Sequence, residues 1–569
     1  MQNLSSLLQA FTPFLCQDLP SKLETTLIFH KAEANMHTQD VPPLPSFSEL
    51  FPNFHQDPES LPNTLDPFTV NSTTGFLPSK LPVNVLPEVF QPLQKLVEDM
   101  PVVKLDGTPG HLATYSLGPI VDSGKALPDL THEIDELKVP GTDKLDLHIV
   151  TALFRDYSFL ASAYLLEPCW QTRNAYVSQP SSKSTLGKQT DGSEEYGLGR
   201  SRLPAPIARP LVKLAETLQI PPFMSYAASY ALYNYKLINP DEPDTISDYT
   251  NLRLIRACER GLDPTSSEAG FILTHIHMAT QTGPLLSGVI DTLEQISTLR
   301  ASTPSHPNTT TNQLKAAMSQ ILTTMQAIET NMDRMWSNSR PTDYATYRTF
   351  IFGITSQPLF PNGVIYEGCF DNKPADFRGE SGANDSIIPL LDNLCQVPMP
   401  VNPLTTILRD FRNYRPESQR AILAWTESKA TELKTREFFT TGGAATTTDG
   451  SKPDLEIAVL YLRLLDHIRS FRWRHWQFAR EYIIKRTRYP VATGGSPIVT
   501  WLPNQLSAVL SLMEEVFEDS GLRAAVEVDG KGGLERGDVH VVREIMGVVE
   551  GQRGKLVREV ERYCAERGV

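Results

Sequence analysis

The stretch Tyr461–Tyr489, YLRLLDHIRSFRWRHWQFAREYIIKRTRY, decides how the rest of the chain is read. Leu464, Ile468, Phe471, His475, Phe478 and Tyr482 follow one another at alternating four- and three-residue steps, so one long helix would carry them all on a single face. Every member of that stripe except His475 is apolar or aromatic. The remaining faces carry Arg469, Arg474, Arg480 and Lys485, the pattern of a solvated or anion-facing surface. A histidine in such a seam is either a core residue whose ring nitrogens are satisfied by neighbours or an axial ligand to haem iron, because neutral imidazole on a rigid helix suits that metal. The helix alone does not choose.

Around this helix the chain reads as a large globular protein. Its 569 residues carry 40% hydrophobic residues, enough for a sizeable core. A net charge of −14 argues against a general nucleic-acid role. The 6 cysteines, Cys16, Cys169, Cys258, Cys369, Cys395 and Cys564, lie far apart without a CxxC pair, which favours neither a zinc ribbon nor a disulfide framework and fits a reducing compartment. No signal peptide and no apolar run of membrane-spanning length is read, so a cytoplasmic protein without membrane contact is expected.

Upstream, residues 1–80 are rich in proline, serine and asparagine, with only a short helical start at Leu4–Phe14. Helices are predicted over Leu86–Met100, from Lys144 to Glu167, and on both sides of the Pro221-Pro222 break, the second of these being FMSYAASYALYNYK. Ser266–Thr280 reads as a capped helix carrying His275 and His277, which two-residue spacing directs to different sides. Gly283–Leu299 and Asn312–Trp336 follow as packed helices. In YATYRTFIFG a single cation, Arg348, stands among apolar neighbours and must meet an anion or snorkel outward. The loop FRGESGAND opens a short helix carrying Asp392, and its small residues would let backbone approach a planar ligand. A further helix over Leu404–Thr426 is broken by Pro416, the loop TTGGAATTTDG leads into the histidine helix, and PVATGGSPIVT beyond it is a glycine turn.

Taken together, YRTFIFG, VIYEGCF, FRGESGANDSIIPLLD, LRDFRNYRPESQRAIL, IRSFRWRHWQFAREYI and TGGS, in that order between about Leu145 and Leu506, resemble the haem-dependent indoleamine 2,3-dioxygenases, in particular their fungal members. The resemblance implies an all-α, two-domain helical haem protein with haem b as cofactor. It divides the chain into an irregular or partly disordered arm (1–80), a small helical domain (81–235) with a mobile insertion at 171–200, a large helical haem-binding catalytic domain (236–505) and a charged helical tail (506–569).

Residue by residue, the resemblance makes His475 the proximal iron ligand, with Arg472 and Asp392 as a salt bridge beside the haem. It makes Arg348 the anchor for the substrate carboxylate, and Ser381, Gly382 and Ala383 the small residues over the haem plane. Thr493, Gly494 and Gly495 match the loop that closes over substrate. Tyr226, Ser229, Phe271 and Ile272 match the indole pocket, and His275 stands where it could hydrogen-bond the indole N–H. The implied reaction adds both atoms of O2 across the indole C2–C3 bond of L-tryptophan to give N-formylkynurenine, the first step of the kynurenine pathway towards NAD, by a monomer. Asp343 and Glu380 depart from the pattern, since an aromatic and a glycine are familiar there, and Asp343 is expected to border the pocket. They motivate the alternative of a haem protein that acts on another indole or binds oxygen without efficient turnover. A helical scaffold without cofactor is the third reading.

Overall fold

The computed structural model describes residues 45–567 apart from 179–194, 241–244, 261–262, 302–306, 401–402, 444–453, 488, 490, 496–497 and 528–533. The expected helix at Leu4–Phe14, most of the 171–200 insertion and most of the TTGGAATTTDG loop lie outside these residues. The fold is all-α, and among the described residues no strand exceeds three residues. The helices used below are α1 (Leu147–Ser178), α2 (Ala205–Leu218), α3 (Ser267–Ala279), α4 (Thr282–Arg300), α5 (Pro307–Asp333), α6 (Tyr344–Arg348), α7 (Ile387–Cys395), α8 (Glu417–Glu432), α9 (Leu455–Phe478), α10 (Ile498–Asp519) and α11 (Arg536–Arg567).

The histidine helix is α9. Asp454 caps it by accepting the N–H of Glu456 at 3.0 Å. It does not run unbroken to Tyr489 as expected: after Phe478 it passes into a π-helical turn, Ala479–Ile484. Its basic faces meet anions. Arg474 bridges Glu329 and Asp333 of α5 at 3.0 and 2.8 Å, and Arg480 pairs with Glu559 of α11 at 2.6 Å. The C-terminal stretch therefore packs onto α9, with Val509, Leu510 and Met513 of α10 and Val542 and Val549 of α11 sharing one apolar core with Leu464, Leu465 and Ile468.

Two further expectations are corrected. The first concerns α1, which does not stop near Glu167 but continues through Pro168 to Ser178. Proline supplies no N–H to the carbonyl of Tyr164 four residues back. Arg200 takes over, its guanidinium bonding the Tyr164 carbonyl and its backbone N–H the Leu165 carbonyl at 2.9 Å. The same helix is long and apolar enough to cross a membrane by length and composition, contrary to the sequence reading, and 94% of its apolar window is buried inside the protein.

The second concerns FMSYAASYALYNYK, which forms only a π-helical turn, Tyr226–Tyr230, before running into a strand, Tyr235–Leu237, paired antiparallel with Leu252–Leu254. Asn234 draws the chain out of helix by pairing both side-chain groups with the Arg256 backbone, at 2.7 and 2.9 Å. The described part of the N-terminal arm is irregular and packed. Phe47, Phe51, Phe54 and Phe76 enter the core of α4, α5 and α8, and the Phe76 backbone is held by Thr282 and Gln419 at 2.8 and 2.9 Å.

Two apolar cores result. One gathers α1, α2 and the chain before them; the other gathers α4, α5 and α7–α11. They meet at a small aromatic cluster of Tyr344, Tyr347 and Tyr482, against which Phe271 and Phe478 pack. The site lies at this junction.

Candidate active site

His475 projects from the last turn of α9, just before the π-helical turn, a local widening that often accompanies functional positions. It is only half-buried by area, yet burial pushes its imidazole down to about 4, with the His275 ring contributing. A ring that is desolvated while keeping accessible surface lines an internal space. Neither ring nitrogen has a hydrogen-bond partner among the described residues, so the satisfied-core reading left open above fails. The ring is kept neutral with a free lone pair, the form an iron ligand needs.

His275 of α3 faces the same space. Its Nδ1 lies 2.9 Å from the Phe271 carbonyl, so Nδ1 carries the hydrogen and Nε2 is left as an acceptor; burial lowers its pKa. His277 turns away, with Nε2 2.8 Å from the Ser247 carbonyl, as the two-residue spacing required. Opposite His275 runs the Ser381–Ala383 loop. A Cβ on Gly382 would stand 3.8 Å from His275 Nε2, and Ser381, Gly382 and Ala383 all keep accessible surface. The Ser381 hydroxyl caps the turn that follows, accepting the N–H of Ala383 at 3.2 Å. Arg415, which sequence reasoning missed, grips the loop from behind by donating to the carbonyls of Ala383, Asn384 and Asp385, each at 3.1 Å.

Asp392 on α7 pairs with Arg472 one turn before His475, Nη2 to Oδ2 at 2.6 Å. Its other oxygen, Oδ1, is buried without a partner. Asp392→Ala leaves the Arg472 guanidinium without its carboxylate in a largely buried position, which costs about 3 kcal/mol. It also frees the His475 turn, so haem affinity is expected to fall about 10- to 100-fold. Haem titration followed at the Soret band, alongside thermal unfolding, checks both effects.

Arg348, at the end of α6, is fully buried. Only Nη2 is committed, to the Val491 carbonyl at 2.6 Å, while Nε and Nη1 have no partner. The guanidinium lies 4.8 Å from the Phe352 ring centroid. An arginine held dry with two donors unpartnered calls for an anion such as a carboxylate.

Around it the 491–495 loop is docked by Gln357, which donates to the Ala492 carbonyl at 2.8 Å, and by Thr493 Oγ1, which donates to the Glu380 carbonyl at 2.6 Å. Gly495 has a φ of +87°, and a Cβ on Gly494 would fall 2.3 Å from the Phe411 ring, so this turn accepts nothing larger at either position.

The aromatic walls are Tyr226, whose hydroxyl reaches Asp385 at 3.3 Å, and Phe271, 4.7 Å from His275 by ring centroids. Ser229 is near them in sequence, but its hydroxyl is spent on the Ser225 backbone, at 2.8 and 2.9 Å. Ile272 is fully buried in the first core. The two acidic departures behave oppositely. Asp343 does not border the pocket: it turns away to accept from the Ser267 hydroxyl at 2.8 Å and from Arg340. Glu380 turns inward, 3% exposed and pushed up to about 8 by burial.

That carboxyl has a consequence for stability. Folding raises its pKa from 4.5 to about 8, so its contribution is fully present below pH 4.5 and is lost as pH rises through 8. Glu380→Gln is therefore expected to match the parent near pH 5 and to exceed it above pH 8, by up to about 5 kcal/mol in unfolding free energy. Thermal unfolding across that range checks the sign.

The indoleamine 2,3-dioxygenase family model matches residues 64–520. The chain belongs to the indoleamine 2,3-dioxygenase family. The match starts well before the segments that carried the resemblance in the sequence. Indoleamine 2,3-dioxygenase 1 of Rattus norvegicus is 23% identical over 428 residues, 74% of this chain and 86% of the relative. An indoleamine 2,3-dioxygenase of Aspergillus nanangensis is 24% identical over 371 residues, 63% and 75% of the two chains. A 6-hydroxytryptophan 2,3-dioxygenase of Fusarium equiseti is 22% identical over 381 residues, 65% and 76%.

Proteins of the indoleamine 2,3-dioxygenase family are haem-containing dioxygenases acting on indoles, and haem is the cofactor here. The residues fit it: an unpartnered neutral imidazole on one side, a glycine-bearing loop on the other, and a guanidinium–carboxylate pair steadying the imidazole. Among the described residues no group of three or more His, Cys, Asp or Glu side chains could hold a metal alone, so iron would reach His475 within a porphyrin.

Proposed function

We propose that this dioxygenase opens the indole ring of tryptophan-type amino acids, converting L-tryptophan to N-formylkynurenine at the head of the kynurenine pathway. The observation that carries the reading is Arg348: a fully buried guanidinium with two unpartnered donors beside an aromatic pocket calls for an indole that bears a carboxylate. When bound, haem supplies ferrous iron, at which O2 is activated for addition across the indole C2–C3 bond. The chain's own residues do the placing. His475 holds the haem, Arg348 takes the carboxylate, and Phe271 and Tyr226 flank the ring. His275 Nε2 accepts the indole N–H without removing its proton, since a burial-lowered imidazole is a weak base. The docked 491–495 loop excludes water.

Formation of N-formylkynurenine from L-tryptophan by the reduced, haem-loaded protein under air tests the proposal. No product, with a histidine-ligated haem spectrum intact, would defeat the tryptophan assignment. A second reading, another indole as the preferred substrate, is favoured by the inward Glu380 and by the 6-hydroxytryptophan named for the Fusarium relative.

A further inference from the structure

The histidine helix presents a second face that the mechanism above leaves without a task. Arg469, Trp473, Trp476 and Arg480 follow one another at four-, three- and four-residue steps, on a side of α9 turned away from the His475 stripe. Helix α11 covers that side, and it lies wholly beyond residue 520, where the family match ends. The contacts run in the same order along both helices. Arg469 donates to Gln552 at 2.7 Å, Lys555 Nζ lies 5.5 Å from the Trp473 ring centroid, and Trp476 meets Tyr563 edge-on, 6.2 Å between ring centroids.

One side chain of α11 spans the point where α9 changes its winding. Glu559 accepts the Trp476 indole N–H on Oε2 at 2.7 Å and the Arg480 guanidinium on Oε1 at 2.6 Å. Trp476 adjoins His475 in the last regular turns of α9, while Arg480 is the second residue of the π-helical turn, so the carboxylate bridges the two windings. The His475 carbonyl itself accepts from Ala479, the first residue of that turn. Trp476 is fully buried, and a sealed indole N–H that loses its acceptor must turn to find another. The Glu559 side chain is 14% exposed, so solvent screens the bridge little. Arg480 also pairs with Glu481 at 3.0 Å; its charge therefore stays partnered when Glu559 is replaced, and what is lost is the bridge.

We propose that Glu559 is a positioning residue for the haem ligand: by tying Trp476 to Arg480 it fixes where α9 passes into the π-helical turn, and hence the orientation in which His475 is offered to iron. The C-terminal helix is then a working part of the haem site, although it touches the site only through α9. Outer groups that hold a ligating histidine in place change metal affinity by about 10- to 100-fold when removed, and Glu559, acting through the backbone, belongs at the lower end. The proposal rests on the reading of His475 as the iron ligand.

The test measures haem affinity by titrating the apoprotein at the Soret band, and the iron–histidine stretching vibration of the reduced, haem-loaded protein by resonance Raman spectroscopy. Glu559→Gln, which can serve Trp476 or Arg480 but not both, is expected to lower haem affinity about 10-fold and to shift the vibration; Glu559→Ala should do at least as much. Glu514→Ala breaks the 2.7 Å pair with Arg553 that joins α10 to α11, so it loosens α11 without touching the bridge, and both readouts should stay at parent values. In His475→Ala with imidazole supplied as the ligand, adding Glu559→Gln should change haem affinity by less than about twofold, because the ligand no longer hangs from α9. Parent values for both readouts in both Glu559 variants would overturn the proposal. So would an equal loss in Glu514→Ala or in the His475→Ala background, since either would mean a merely structural role. A His475→Ala variant that keeps the parent's haem spectrum would defeat the ligand reading, and this proposal with it.

Discussion

His475→Ala is expected to abolish the histidine-ligated haem spectrum and to lower dioxygenase activity by more than about 100-fold, with the helical fold retained. The ring makes no hydrogen bond among the described residues, so its removal breaks no network. Truncating a half-buried imidazole on the wall of an internal space creates little new void. Circular dichroism should therefore match the parent while the Soret band shifts or is lost. Imidazole added in solution should restore part of the haem spectrum by filling the space left behind. A variant with unaltered haem spectrum and turnover would remove His475 from the iron.

The second large effect concerns substrate. Arg348→Ala is expected to reduce kcat/KM for L-tryptophan by about 100-fold, the value of a dry, charge-assisted pair near 3 kcal/mol. Tryptamine, which keeps the indole but lacks the carboxylate, should lose far less. This contrast separates anchoring from packing, because the guanidinium also covers the Phe352 ring and its loss would loosen that contact for every ligand alike. Since Nη2 also holds the Val491 carbonyl, part of the loss should appear as weaker closure of the 491–495 loop.

How much of this was legible before the structure depended on whether the cause was local. The stripe from Leu464 to Tyr482 is a periodicity, and periodicity survives folding because the helix that creates it is its own context. The end of the helix at Phe478 was not visible, because the π-helical turn is written in no single residue. Helix α1 was expected to end at Glu167, and Arg200, distant in sequence, explains how it passes Pro168. The segment after Ser225 has helical composition, yet Asn234 ties it to Arg256, and a long-range pair outweighed local preference. At the site, the resemblance named His475, Arg472, Asp392 and Arg348 at the positions where the structure places an unpartnered imidazole, an ion pair and a buried guanidinium. It did not show which way the departures face. Asp343 turns out because Ser267 and Arg340 draw it, and Glu380 turns in because Gly379 and Thr493 pin its backbone. Arg415 escaped notice for the same reason, since its role lies entirely in the three carbonyls it reaches.

The most direct test of a dioxygenase built around His475 is the isotopic composition of the product formed from L-tryptophan under 18O2 by the reduced, haem-loaded protein. The account predicts ring-opened product carrying two heavy oxygen atoms, formed by the parent and not by His475→Ala. Product carrying one heavy atom with the other drawn from water, or product formed equally by the variant, would contradict it.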